Sequence, residues 1–96
     1  MTVYIEGRAM LSLDPPSPNP SDRGLRVRFN LPQRGPGHLE LVDLSGRRVN
    51  SIDVGARGPG VYEEDLAPGR RITAGVYIVR LTQGAETRVV RASVIR

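Results

Sequence analysis

One alternating stretch, LRVRFNL at residues 25–31, constrains the fold of this chain more than any other. In an extended strand its four apolar side chains point to one side, while Arg26, Arg28 and Asn30 point to the other. This alternation is typical of a β-strand with one face in a hydrophobic core and one face in water. A chain of 96 residues forms one domain with a small core, so such a strand must contribute much of that core.

Glycine and proline separate the remaining apolar runs. The 11 glycines and 8 prolines are too many for a helical bundle, and they mark turns between short strands. Further strands are expected at HLELVDL, RRVNSIDV, VYEEDL, ITAGVYIVRL and ETRVVRASVIR. With a segment near the N-terminus they come to about seven strands. We therefore predict an all-β fold, an Ig-like antiparallel β-sandwich of about seven strands.

The alternation within these strands also predicts which side chains form the core. Asp43 can bond its own turn and Gly46 can adopt a positive φ, so a tight hairpin is expected after HLELVDL. Residues 76–81 are apolar at nearly every position, which predicts a central strand covered on both faces. The expected core comprises Leu25, Val27, Phe29, Leu31, Leu39, Leu41, Val49, Tyr77, Val79 and Leu81.

Two side chains have alternative roles that the sequence leaves open. Glu64 would point inward with Tyr62 and Leu66, so either Glu64 is paired or its strand lies at a sheet edge. Tyr77 follows Gly75 at the start of its strand, where it could be a plain core tyrosine or a tyrosine corner. In a tyrosine corner the ring lies in the core and the hydroxyl bonds to upstream backbone.

The N-terminal part of the chain divides into a strand segment and a proline-rich linker. Residues 1–13 have apolar side chains at period two, and could form an edge strand, a weak hairpin or a strand exchanged with another molecule. Prolines disfavour regular pairing over residues 14–23, and we predict that the Ig-like domain covers residues 24–96. The first residues lack the pattern of a signal peptide, and no run is long enough to span a membrane. An exported protein would therefore carry its signal on a longer precursor.

The residues that most kinds of chemistry need are missing from the sequence. There is no cysteine, and His38 is the only histidine, so nucleophile–base pairs are few. We expect a non-catalytic protein without a cofactor or metal. Glu63 and Asp65 share one face of their strand and could bind calcium, but charge on an exposed edge strand is the favoured interpretation.

The positive charge raises the question of nucleic-acid binding. All 14 basic residues are arginines, against 10 acidic residues, and the net charge is +4. The strand faces offer no aromatic side chains for stacking on bases, and acidic residues lie between the arginines. A solvated face is therefore favoured, and no nucleic-acid partner is expected. A basic stripe would need neighbouring strands to bring together Arg26, Arg28, Arg88 and Arg91.

Four short motifs occur in a recognisable order: PNP at residues 18–20, LVDLSGRRV at 41–49, ITAGVYIVRL at 72–81 and a short basic final strand. Together they resemble the C-terminal sorting domain, type A, of proteins exported by the type IX secretion system. They are similar, more weakly, to the Ig-like domain of the flagellar hook-capping protein. The resemblance runs from about Pro18 to Arg96. APGRR at residues 67–71 is longer than the connection usual in that family, and arginine replaces the family's lysine, which keeps the charge but changes its geometry.

The resemblance implies a function in protein export. Sorting domains of this kind end a cargo protein, are read by an outer-membrane translocon, and are commonly removed at the cell surface by a cysteine-protease sortase. The cargo would reach the cell surface or the medium by way of the periplasm. The residues that match the family's recognition motifs are Pro18, Asn19, Pro20, Gly46, Arg47, Val49, Ala74, Gly75, Tyr77, Arg80, Arg88, Arg91 and Arg96.

A structural function is the main alternative. An Ig-like accessory or assembly module of a cell-surface or extracellular protein could have the same strands, and could self-associate by strand exchange through residues 2–13. The two interpretations differ in what they expect of the parent gene. A sorting domain ends the reading frame and follows unrelated, often enzymatic, domains.

Overall fold

The strands predicted from the alternating runs are present in the structure, a computed structural model that describes residues 10–17, 19–20, 24–68 and 72–95. Seven strands follow one another along the chain: β1 Ser12–Leu13, β2 Arg26–Leu31, β3 Gly37–Asp43, β4 Arg48–Asp53, β5 Gly60–Asp65, β6 Gly75–Gln83 and β7 Glu86–Val94. They form two antiparallel sheets, ordered β1-β2-β5 and β4-β3-β6-β7. The described residues contain no helix, and so none long and apolar enough to cross a membrane. The prediction of an all-β sandwich is confirmed.

Both sheets contribute to one hydrophobic core. Nine of the ten predicted core side chains are buried, and the exception, Val49, is only partly buried. Asn50 pairs with Leu41 and Arg48 pairs with Val42, so Val49 is the extra residue of a β-bulge and lies at the rim of the core. The core also includes Leu11, Leu13, Val54, Leu66, Ala67, Ala92 and Val94.

Strand β6 is central in its sheet but is not covered on both faces. It pairs with β3 on one side and with β7 on the other. Tyr77, Val79 and Leu81 are buried between the sheets, whereas Val76 and Ile78 on the opposite face are only half-buried. The expectation of two covered faces is wrong, because a sandwich of two layers leaves the outer face of each sheet in water.

Both alternatives for Glu64 are realised together. Strand β5 pairs with β2 alone among the described strands, so it lies at a sheet edge. Glu64 lies opposite Val27, on the inward side, and its carboxylate is 2.5 Å from the guanidinium of Arg57. Arg57 also lies over the ring of Tyr62, 5.3 Å from the ring centre. The loop before β5 therefore supplies the counter-charge for an inward-facing carboxylate.

Residues 10–17, before β2, are packed on the sandwich. Residues 1–9, which hold most of the predicted N-terminal strand, lie outside the described residues. Ser12–Leu13 pairs with β2 as the edge strand of its sheet, and Leu11 and Leu13 are buried in the core. In the proline-rich segment, the N–H groups of Asp14 and Ser17 donate to β2 carbonyls at 2.9 and 3.2 Å. The division of the chain at residues 13 and 23 stays a prediction, although side chains from before residue 14 contribute to the core.

Candidate functional site

A tight hairpin joins β3 to β4, as predicted, and Asp43 sets its conformation. One carboxylate oxygen of Asp43 accepts hydrogen bonds from the Ser45 hydroxyl at 2.6 Å, the Ser45 N–H at 3.0 Å and the Arg47 N–H at 2.9 Å. The other oxygen lies 3.3 Å from Nε of Arg47. Gly46 has a φ of +91°, in the left-handed region that favours glycine. These bonds, above all the one from the Ser45 hydroxyl, hold the pKa of Asp43 below its ordinary value of 3.8.

Tyr77 forms a tyrosine corner at the start of β6. Its side chain is 6% exposed and packs in the core. Its hydroxyl donates to the carbonyl of Thr73, four residues upstream, at 2.5 Å. Just before it, Gly75 has a φ of +153°, and open space surrounds the position that a side chain would take. Of the two roles that the sequence leaves open for Tyr77, the structure shows the second.

The hairpin and the tyrosine corner line one groove of about 460 Å³, which we call the hairpin groove. They meet because β3 and β6 are neighbours and Asp43 pairs with Tyr77. Apolar side chains of Leu44, Ile72 and Val76 lie along the groove. Five residues of the predicted recognition motifs also line it: Arg47, Val49, Ala74, Gly75 and Tyr77.

Asn19 of the PNP motif lies at the same end of the four-stranded sheet. Its side-chain oxygen accepts a hydrogen bond from the backbone N–H of Ser93 in β7, at 3.1 Å. Ser93 pairs with Val76, which lines the hairpin groove. Pro20 is exposed and follows Asn19 through a cis peptide bond, while Pro18 lies outside the described residues. The first motif therefore contacts the last strand, a contact that the sequence does not predict.

Two of the predicted recognition arginines lie on the outer face of the four-stranded sheet. Arg80 forms an ion pair with Glu40 at 2.9 Å, and Arg48 approaches the same carboxylate at 3.5 Å. Arg91 is exposed and pairs with Ile78, which lies on the same outer face. Neither Arg80 nor Arg91 lines the hairpin groove.

Arg88 faces the other way. It pairs with Leu81, whose side chain is in the core, so Arg88 points toward the inner side of the sheet and is half-buried. Its guanidinium donates to the carbonyl of Thr87 at 2.9 Å. Arg96 lies outside the described residues. The two described arginines of the last strand that match the motif are therefore on opposite faces.

Of the two candidate calcium ligands, Asp65 already accepts backbone hydrogen bonds, and Glu63 is exposed. Glu63 and Asp65 lie opposite Arg28 and Arg26 across the β2–β5 pair. One carboxylate oxygen of Asp65 accepts two backbone N–H groups, at 2.8 and 2.9 Å. Within the part of the chain that the structure describes, no three acidic or histidine side chains are grouped as metal ligands would be. This arrangement fits a charged edge strand.

The arginines considered for nucleic-acid binding do not form one stripe. Arg26 and Arg28 belong to the three-stranded sheet, whereas Arg88 and Arg91 belong to the four-stranded sheet. The single histidine, His38, is exposed on β3 opposite Thr82.

Five residues that line the hairpin groove are missing from the sequence-based prediction of the recognition residues: Asp43, Leu44, Ile72, Thr73 and Val76. The spacing from Tyr77 could have identified Thr73, because a tyrosine corner bonds to backbone a few residues upstream. Leu44 and Ile72 become neighbours through the pairing of β3 with β6, and no local pattern specifies that pairing.

A family model identifies the group of proteins to which this chain is related. No curated protein matches the chain. The family model described as the secretion system C-terminal sorting domain matches residues 17–96, which include all four motifs. The match confirms the resemblance seen in the sequence. The chain therefore belongs to the family of secretion system C-terminal sorting domains, which are C-terminal sorting signals for type IX secretion.

Proposed function

We propose that the type IX translocon of the outer membrane recognises this domain at the end of the sandwich that carries the hairpin groove and Asn19, and that a cell-surface sortase then removes it. As a member of its family, the domain is a non-catalytic sorting signal attached to a cargo protein that is secreted or held at the cell surface. In the proposed route the cargo passes through the periplasm before it meets the translocon.

One observation supports this end of the sandwich as the recognition site: motifs that are far apart in the sequence meet there. Arg47 comes from the hairpin, and Gly75 and Tyr77 come from the start of β6. Asn19 is bonded to β7 beside them. Because folding brings these residues together, a partner that contacts this surface would recognise the folded domain rather than a linear sequence.

The chemistry of the hairpin groove indicates what kind of surface would fit it. Leu44 is 70% exposed, and Val49 and Ile72 are partly buried at the edge of the core. The Arg47 side chain is 81% exposed, and Asp43 holds it through Nε. Its two terminal nitrogens have no partner within the described residues, so they can bind a carboxylate. An acidic group beside an apolar side chain would therefore fit the groove.

An export assay tests the recognition site. The 96-residue chain is fused behind a folded reporter with an ordinary signal peptide, in a bacterium with a type IX pathway. We expect the reporter at the cell surface or in the medium, and expect Arg47→Gln to leave it in the periplasm. Arg48→Gln is the matched control, because Arg48 is an exposed neighbour that pairs with Glu40 and does not line the groove. Both variants should have the same urea unfolding midpoint as the wild type, which shows that they are folded.

Each outcome bears on a different part of the proposal. Equal export of the Arg47→Gln and Arg48→Gln fusions would show that the groove is not the recognition site. An unmodified fusion that stays in the periplasm, while an established sorting domain exports the same reporter, would show that the translocon does not accept this domain. An exported reporter that keeps the mass of the whole fusion would contradict removal by a sortase.

The last strand needs a separate test. Arg91→Gln removes an exposed charge from the outer face and should leave packing unchanged. Arg88→Gln is less suitable, because Arg88 is half-buried on the inner side of the sheet. Reduced export of the Arg91→Gln fusion would extend the recognition surface to the outer face, and unchanged export would confine it to the groove end.

A further inference from the structure

The first described residues run across the sandwich from one sheet to the other. We call residues 10–17 together with Asn19 the N-terminal strap. We propose that the strap shields its own backbone from proteolysis in the folded domain, and that β7 latches it through Asn19. A protease would then be unable to cut between Leu11 and Ser17 until the strap detaches. If a sortase removes the domain from its cargo while the domain is folded, the sortase must cut outside residues 11–17. Only this consequence rests on the proposed function.

The backbone of the strap is held along its length by β2. The side-chain amide of Asn30 donates to the carbonyl of Met10 at 2.6 Å. Residues 12 and 13 pair with β2 in regular register. Beyond them, Asp14 and Ser17 each donate a backbone hydrogen bond to a β2 carbonyl, at 2.9 and 3.2 Å. The prolines thus interrupt regular pairing without releasing the chain from the sheet.

Apolar side chains fix the strap to the core. Leu11 is 1% exposed and Leu13 is 9% exposed, and both belong to the core cluster. Leu13 lies opposite Phe29, and Pro16 is also buried. Detaching the strap would bring three apolar side chains into water, so the closed form is favoured by the hydrophobic effect as well as by hydrogen bonds.

Asn19 connects the strap to the last strand. On one side β7 pairs with β6. The backbone N–H of Ser93 in β7 donates to the side-chain oxygen of Asn19, at 3.1 Å, rather than to β6. The strap therefore begins on β2 in one sheet and ends on β7 in the other. The latch can close only when β7 is in place, so it couples the protection of the strap to the completeness of the sandwich.

A protease must bind backbone and side-chain groups that are not accessible in the attached strap. Extended peptides bind to other proteins through free backbone N–H and C=O groups and through side chains that enter pockets. In the strap these backbone groups are bonded to β2, and alternate side chains are buried. Cleavage of such a segment follows the population of the locally opened form.

Hydrogen exchange of the 96-residue chain measures that opening. We expect the amides of Asp14 and Ser17 to exchange at least about a hundredfold more slowly than in an unstructured peptide of the same sequence. Asn19→Ala removes the acceptor for the Ser93 N–H and should speed exchange at Ser17 and Ser93 about fivefold, the effect of one hydrogen bond. Asn19→Asp keeps an acceptor oxygen and should restore the protection. Ser12→Ala, at an exposed position of the strap, is the matched control.

Limited proteolysis with subtilisin, which has broad specificity, measures the same opening as chain cleavage. Mass spectrometry should find the first cuts outside residues 11–17, and Asn19→Ala should speed cuts within them as it speeds exchange. Cleavage within residues 11–17 at the rate of the free peptide would overturn the shielding. Equal exchange at Ser93 in Asn19→Ala and Ser12→Ala would overturn the latch. Neither measurement depends on export, so failure here would leave the proposed function untouched.

Discussion

Replacing Phe29 with alanine should remove much of the stability of the domain. Phe29 is 1% exposed in the middle of β2, where it lies opposite Leu13 on one side and Tyr62 on the other. Its ring centre is 5.9 Å from that of Tyr62. Truncation of a buried phenylalanine costs about 3–5 kcal/mol, of which the aromatic pair contributes about 0.5–1.5 kcal/mol. A domain of this length has a total stability of about 5–14 kcal/mol, so the loss is about a fifth of it or more.

Urea unfolding followed by circular dichroism measures this loss directly. In a thermal melt followed by the same signal, the melting temperature should fall by roughly 12 °C or more, because each 1 kcal/mol of lost stability lowers it by about 4–8 °C in a domain of this size. Val61→Ala is the control, since Val61 is 58% exposed on β5 and its truncation should change stability by less than about 0.5 kcal/mol. If Phe29→Ala lost under about 1 kcal/mol, or no more than the control, the core described here would be wrong.

Three further substitutions test local interactions. Tyr77→Phe removes the hydrogen bond to Thr73 and should lower the free energy of unfolding by about 1 kcal/mol, measured by urea unfolding; no change would contradict the tyrosine corner. Arg57→Ala leaves the inward-facing Glu64 without its ion-pair partner and should lower the free energy of unfolding by about 1–3 kcal/mol. The double variant Arg57→Ala with Glu64→Gln should recover part of this loss. A loss no larger than that of Arg47→Ala, at the exposed hairpin, would argue against the pair. The lowered pKa of Asp43 stabilises the fold above the ordinary value of 3.8, and this contribution is lost as pH falls through the folded pKa. Between about pH 6 and 2 the urea unfolding midpoint should therefore fall more steeply with decreasing pH in the wild type than in Asp43→Asn. Parallel curves for the two proteins would contradict a stabilising role of the Asp43 carboxylate.

Patterns that act locally were sufficient to predict the strands and their faces. Side chains alternate in any extended strand, so a core on one side leaves a period of two in the sequence, as in residues 25–31. The β3–β4 hairpin is equally local, because the Asp43 carboxylate and the positive φ of Gly46 act within one turn. For the same reason the hairpin half of the candidate site could be located from the sequence.

Features that depend on distant pairing could not be predicted. The hairpin groove exists because β3 neighbours β6, and only the sheet order specifies this. The partner of Glu64 depends on the path of the loop that carries Arg57. The bulge at Val49 lies within the local β3–β4 hairpin, but it too escaped prediction, because alternation alone does not encode a register shift. Prolines in residues 14–23 disfavour a regular ladder, yet isolated hydrogen bonds from Asp14 and Ser17 still hold residues 14–17 on β2.

The strand order also determines when the proposed recognition surface forms. The β3–β4 and β6–β7 hairpins join neighbours in the sequence, but Arg26 pairs with Asp65 and Val42 pairs with Ile78, 39 and 36 positions away. Pairings of this range form slowly, because the intervening chain must first close into a loop. A polypeptide that stopped before β6 would have the hairpin but no groove. If the groove is the recognition surface, as proposed, it would thus report that synthesis had passed the start of β6, and a cargo chain truncated earlier would carry no signal.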